Sequence, residues 1–232
     1  MYFKIITIFI VLFSMSLFAQ EEVVKDTVGD TKYREDQFYI GLTFNLLTNK
    51  PASMDQNGFS GGFHAGFIRD MPINKRRNVA IGVGLGFSMN TYNQNLFVGE
   101  TENNESIFTV LDPQTEYNKN WFSTYLIEAP IQFRWRTSTA SSYKFWRIYS
   151  GLQLGYVYAY KFNFEQTGNH VVQTDVPEFE RLRLGATFTF GYETFNFHFY
   201  YGLNPLFKNA TTGSNQALGI NTFKLGLMFY IL

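Results

Sequence analysis

The stretch Asn78–Ser88, NVAIGVGLGFS, sets Val79, Ile81, Val83, Leu85 and Phe87 against Ala80, Gly82, Gly84, Gly86 and Ser88 without a break. A strand points successive side chains to opposite faces, so one face here is large and apolar and the other is almost bare. A soluble sheet normally opposes its core face with solvating side chains, because glycine weakens a strand. Bare glycines suit the cramped inside of a small closed barrel, and bulky apolar residues suit lipid outside it.

The same alternation recurs along the chain and gives eight segments, of which NVAIGVGLGFS is the third. The others are Phe38–Asn45, Phe59–Arg69, Trp121–Arg136, Phe145–Phe162, Arg181–Glu193, Phe195–Asn204 and Thr222–Leu232. Most match or exceed the ~9–11 residues that a tilted strand needs to cross a bilayer. Their connections differ in length: 46–58, 89–120, 163–180 and 205–221 are long and polar, whereas 70–77, 137–144 and the turn at Glu193–Phe195 are short. Short periplasmic turns and long external loops are the outer-membrane arrangement. The expected fold is therefore all-β, an eight-stranded antiparallel up-and-down transmembrane barrel over 37–232 with a closed, side-chain-filled interior. Both termini fall on the periplasmic side. Trp135 and Trp146 flank a short turn while Trp121, Tyr156 and Tyr158 approach the other rim, as two aromatic girdles would.

Composition fits this reading. Aromatic residues make up 19% of the chain, with 26 Phe and 15 Tyr, against 16% charged residues. A soluble core could hardly hide so many rings, so some are expected to face an apolar solvent. The formal net charge is zero, which leaves no electrostatic footprint for nucleic acid. Cysteine is absent, so disulfides, thiolate metal sites, a cysteine nucleophile and a lipid-modified cysteine are excluded. Lys4, the apolar run Ile5–Phe13 and Ser14–Ala19 read as a secretory signal over 1–19, followed by a polar, flexible periplasmic lead-in over 20–36. The expected location is the outer membrane of a Gram-negative bacterium. Outer-membrane lipid is the expected surrounding, and the barrel assembly machinery the expected partner during insertion.

Parity turns a set of charges inward: Glu128, Arg134, Arg136, Arg147, Lys161, Arg181, Arg183, Glu193 and Lys224. An eight-stranded barrel is only wide enough for side chains to fill, and buried charges need partners. Acids and arginines of neighbouring strands are therefore expected to form a hydrogen-bonded structural plug, with Glu128 against arginine. The alternative is an anion- or solute-conducting pore. A soluble exported barrel with an apolar ligand inside would need every strand to face the opposite way. Pro130, between inward Glu128 and Gln132, removes one ladder hydrogen bond and is a candidate bulge.

Catalytic chemistry finds little support. His64 and His198 point inward, and Ser60, on the same face as His64, is two side-chain positions away. Glu100, Glu102, Glu105, Asp112 and Glu116 match no calcium-loop spacing and read as a solvated acidic loop. No catalytic, cofactor or metal residue is assigned. Loop 89–120 is the preferred surface for protein partners, since long loops on rigid scaffolds often carry function.

The final strand places Lys224, Gly226, Phe229 and Ile231 in the order of an outer-membrane assembly signal. Together with the glycine-alternating strands and the run Ile127-Glu128-Ala129-Pro130-Ile131, it resembles the PorT-like outer-membrane β-barrel family of Bacteroidetes. That resemblance implies an eight-stranded barrel without enzymatic activity. It further implies a structural or interaction role in the envelope, accessory to type IX protein secretion.

Overall fold

The computed structural model describes residues 34–103, 105–138 and 145–231. The signal segment 1–19, residues 20–33 of the lead-in and the tip of the turn at 139–144 lie outside the described residues. The strands are β1 (Gln37–Thr48), β2 (Gly61–Pro72), β3 (Val79–Asn93), β4 (Leu96–Glu100), β5 (Ser106–Val110) and β6 (Lys119–Arg136). They continue with β7 (Trp146–Gln166), β8 (Asn169–Gln173), β9 (Leu182–Tyr192), β10 (Phe195–Gly202) and β11 (Asn221–Ile231).

Eight of these form a closed antiparallel barrel in the order β1-β2-β3-β6-β7-β9-β10-β11. The ring closes through eleven consecutive β1–β11 pairs, from Phe38–Ile231 to Thr48–Asn221. Closure leaves no free edge strand in the barrel, so the strands' N–H and C=O groups pair with neighbours on both sides instead of with water. The stretch that opens the sequence is the third wall, paired on one side with β2 and on the other with β6.

The three remaining strands belong to loops read from sequence as polar connections. Strands β4 and β5 form a hairpin inside 89–120, and β8 folds back on the end of β7. The barrel strands also overrun their expected limits: β3 continues to Asn93, and the β6–β7 ladder reaches Lys119–Glu165.

Every barrel strand presents a row of large apolar residues outward, as the third stretch requires. Phe38 is 61% exposed, Leu42 58% and Leu85 65%. Such a continuous apolar wall far exceeds the few hundred Å² that a water-soluble monomer tolerates. The facing needed by a soluble barrel with an apolar ligand inside is absent from the described strands.

Within the barrel, the bare glycines are spaces for particular neighbours. A methyl group at Gly86 would stand 2.0 Å from the Tyr39 hydroxyl oxygen, one at Gly82 would stand 2.6 Å from Arg134 Cδ, and one at Gly84 would stand 2.7 Å from Ile68 Cγ1. The glycine face of β3 thus makes room for Tyr39, Ile68 and Arg134.

Two irregularities were expected differently. Pro130 causes no register shift: β3–β6 pairing lapses opposite Ala129 and Pro130 and resumes unchanged, from Val83–Ile131 to Gly86–Glu128. The missing N–H opens the ladder without inserting a residue. The bulge lies elsewhere, between β6 and β7, where Tyr125 faces Ala159 but Leu126 faces Val157. Tyr158 is the extra residue, and parity reverses beyond it. Tyr160 is consequently buried, and Lys161, expected in the lumen, turns to the outer wall with its ammonium 5.9 Å from the Trp121 ring centre.

Candidate functional site: the filled lumen and its cap

Side chains fill the barrel in tiers. At the short-turn end, Asp70 on β2 meets Arg134 and Arg136 on β6. Arg136 donates from Nη1 and Nη2 to the two carboxylate oxygens of Asp70, each at 2.8 Å, and Arg134 Nη1 donates to Asp70 Oδ1 at 2.8 Å. Arg134 also donates to the Gln37 side-chain oxygen and to the Glu35 carbonyl. Glu35 Oε1 lies 3.8 Å from Arg136 Nε. Burial pushes the Glu35 carboxyl above its ordinary range, outweighing the opposing pull of Arg136, Arg147, the nearby Ser138 hydroxyl and Arg134. The Arg147 guanidinium lies over the rings of Phe145, at 4.5 Å, and Tyr230, at 5.6 Å. Removing two arginines from water is costly, and the two-pronged carboxylate offsets that cost through geometry as well as charge.

Above this tier stands a group of buried rings and aliphatics, Tyr39, Ile68, Tyr149, Met228 and Tyr230. Arg134 reaches it, its guanidinium 4.2 Å from the Tyr149 ring centre.

The middle tier holds Glu128, and its partners are not arginines. Ser88 Oγ donates to Glu128 Oε1 at 2.6 Å, and His64 Nδ1 lies 3.5 Å from Glu128 Oε2. His64 Nε2 is 3.1 Å from Thr43 Oγ1, which donates to Asn45 Oδ1 at 2.8 Å. Asn90 closes the network by donating to Ser88 Oγ. His198, with its ring 6.5 Å from that of His64, bonds Thr189 Oγ1. Lys224 sits over the Tyr200 ring at 4.8 Å.

Thr43, His64 and Glu128 follow the hydroxyl–imidazole–carboxylate order of a nucleophilic triad. All three side chains are buried, and two voids along the lumen measure about 10 and 20 Å³, room for a water and not for a substrate. Among the described residues no group of three His, Asp or Glu side chains converges to hold a metal ion.

The long-loop end is closed differently. A hydrophobic cluster joins the tops of the strands to the loops: Tyr92, Phe122, Leu126, Val157, Tyr160 and Phe162 from the barrel meet Met54, Leu96, Val98, Phe108, Val176, Phe179, Leu206, Phe207, Leu218 and Ile220 from the connections. Phe179 is the hinge of this packing, its ring centre 4.3 Å from that of Tyr160, 5.6 Å from Phe162 and 5.7 Å from Phe207. Arg183, expected to meet acids, lies beneath this cap and donates to the backbone carbonyls of Pro205, Leu206 and Glu180. Its positive charge is met by carbonyl dipoles instead of a carboxylate.

Of the expected plug residues, Glu128, Arg134, Arg136, Arg147, Arg183 and Lys224 are buried in the lumen, in separate tiers and not as one salt-bridged unit. Glu193 leaves the set, because it occupies the β9–β10 turn, half-buried, in the left-handed region at φ 51°. Arg181 precedes β9 and packs its guanidinium 5.1 Å from the Tyr160 ring centre. Asp70, Glu35 and His64 were missed as partners. Asp70 could have been found by carrying the His64–Gly66 parity two positions beyond Ile68's place.

Aromatic side chains stand along the outer wall. Trp135, Trp146 and Tyr192 stand near the short turns, with Trp146 and Tyr192 5.4 Å apart. Trp121, Tyr156 and Tyr158 stand toward the long loops, with Tyr158 6.3 Å from Tyr125. In the last strand Lys224 points into the lumen while Ile231 faces out, and Phe229 packs edge-on against Phe195 at 5.1 Å.

A family model described as outer membrane protein beta-barrel domain matches residues 18–208. No curated protein matches the chain. Among solved structures, the chain is similar to Ail, the attachment invasion locus protein of Yersinia pestis, crystallised in complex with the heparin analogue sucrose octasulfate. Identity is 14%, coverage is 85% of this chain and 99% of that one, and the TM-score is 0.39.

Proposed function

The chain belongs to the outer membrane protein β-barrel domain family, and from that premise we propose a sealed, non-catalytic outer-membrane barrel that acts through its outer wall and its cap. The observation that carries this reading is the filled lumen. Charged, aromatic and polar tiers succeed one another from Asp70 to Phe179, and the two voids between Tyr39 and Met228 and between Tyr92 and Lys224 measure only about 10 and 20 Å³. A conducting pore needs a continuous aqueous path, and this interior supplies none, so the pore reading is not favoured.

The aromatic groups around Trp135–Trp146 and Trp121–Tyr158 serve as girdles at the two membrane surfaces, and the strand containing Lys224, Gly226, Phe229 and Ile231 as the assembly signal. The short-turn end, where β1 begins and β11 ends, faces the periplasm. The PorT-like resemblance adds an accessory part in type IX protein secretion, supported by the Ile127–Ile131 run and the last strand. Loop 89–120 is the surface for a protein partner, and its β4–β5 hairpin gives that surface a fixed shape.

Photo-crosslinking from Phe97 on the hairpin, in native membranes, tests this assignment. A discrete protein adduct is expected. Crosslinks to lipid alone, or none from a correctly folded barrel, would remove the loop from the reading.

A further inference from the structure

At the long-loop rim the outer wall is grooved where β2, β3 and β6 present small residues beside a lysine on β7. Thr91 on β3 pairs with Ser123 on β6, and Ser123 pairs with Lys161 on β7. Gly61, one residue beyond the Gly62–Asn90 pair, continues the line onto β2. Large rings stand to either side, so two hollows form and meet at Thr91. One, about 460 Å³, is walled by Leu42, Phe59, Phe63 and Met89 and is apolar. The other, about 480 Å³, is walled by Lys119, Trp121, Ser123 and Tyr125.

The β7 bulge supplies the charge. By displacing one residue it brings Lys161 out of the lumen, opposite Ser123 and with its ammonium 5.9 Å from the ring of Trp121, two residues that line the second hollow. Lys161 has no carboxylate partner among the described residues, while Lys119 shares Glu165 at 3.5 Å. A cation left without a counter-charge at the rim of an apolar wall attracts an anion from its surroundings. The adjoining hollow over Gly61 offers a slot between Phe59 and Phe63 that only an apolar chain would fill.

We propose that this groove seats one phosphate-bearing membrane amphiphile, with its acyl chain in the hollow over Gly61 and its phosphate between Lys161 and Lys119. The proposal rests on the outer-membrane reading. Neither half of the groove alone specifies this ligand. A soluble phosphate has no use for the Phe59–Phe63 slot, and a zwitterionic lipid gives Lys161 no net counter-charge.

Trp121 makes the site observable. In a variant carrying Trp135→Phe and Trp146→Phe, Trp121 is the sole tryptophan, since the chain has 3 Trp. This barrel is folded into phosphatidylcholine vesicles containing acyl-brominated phosphatidic acid or acyl-brominated phosphatidylcholine, and quenching of Trp121 is followed. Brominated phosphatidic acid is expected to quench at about fivefold lower mole fraction, the factor that one lysine beside an anionic lipid supplies. The preference should vanish in Lys119→Gln/Lys161→Gln and persist in Lys75→Gln/Arg76→Gln at the opposite end. Gly61→Leu should weaken quenching by both lipids by filling the slot. Equal quenching by the two lipids, or loss of preference in the Lys75/Arg76 variant, overturns the site. Heat-modifiable gel mobility of the same vesicles reports insertion separately, so its loss would instead count against the membrane reading.

Discussion

Asp70 and Arg136 form a two-pronged ion pair, Oδ1 to Nη1 and Oδ2 to Nη2, both at 2.8 Å, with neither side chain exposed. The pair ties β2 to β6 across the lumen, since β3 lies between them in the barrel wall. Arg134 shares the same carboxylate, so one acid organises two buried cations. Asp70→Asn keeps the shape and removes the charge. It should cost about 3–5 kcal/mol, because two guanidinium groups lose their shared counter-ion. The midpoint of urea unfolding in detergent micelles, read by heat-modifiable mobility, measures this. A change within about 0.5 kcal/mol would show that the cluster is not held by Asp70.

Glu128 offers a test of partnership. With His64 it should show a double-mutant coupling of about 0.5–3 kcal/mol, since the two side chains share one network. With Arg134 its effects should add to within about 0.5 kcal/mol. The reverse pattern would restore the arginine pairing that sequence parity suggested.

The glycine face of β3 can be tested at one position. Gly86→Ala places a methyl group 2.0 Å from the Tyr39 hydroxyl and 2.7 Å from the Ala65 carbonyl oxygen. A cost of about 1–3 kcal/mol is expected from overpacking. Tyr39→Phe should recover part of it, measured as a less-than-additive double variant. Full additivity would mean that the phenol does not occupy that space.

Glu35 gives the short-turn cluster a pH dependence. Its carboxyl is raised by burial, so folding favours the protonated form. The contribution is fully present below the ordinary carboxylate range and is lost as pH rises through the folded-state value. The stabilisation that unmodified protein holds over Glu35→Gln should therefore shrink on going from acid toward neutral pH, read as the difference between their unfolding midpoints. A difference that stays constant with pH would assign any dependence to another group.

Much of this molecule is legible in the alternation. NVAIGVGLGFS carries its own facing, and seven similar segments give strand number and closure because the side-chain period of a strand is two. Tyr160 and Lys161 were misplaced because a bulge shifts parity by one residue, and nothing in the run around Tyr158 marks the insertion. Glu35 was hidden in a stretch without periodicity. The cap was hidden for another reason. Met54, Val98, Phe179 and Leu218 are scattered singly among polar loop residues, and only the fold brings them together. The stretch that opens the sequence gains a meaning through the structure, since Gly82, Gly84 and Gly86 are spaces for Arg134, Ile68 and Tyr39.

The sealed lumen is tested most directly by electrical recording. Purified, folded protein inserted into a planar bilayer should give no steady conductance step, with insertion verified by heat-modifiable mobility of the same preparation. Reproducible, long-lived unitary currents through the unmodified barrel would contradict a lumen filled from Asp70 to Phe179.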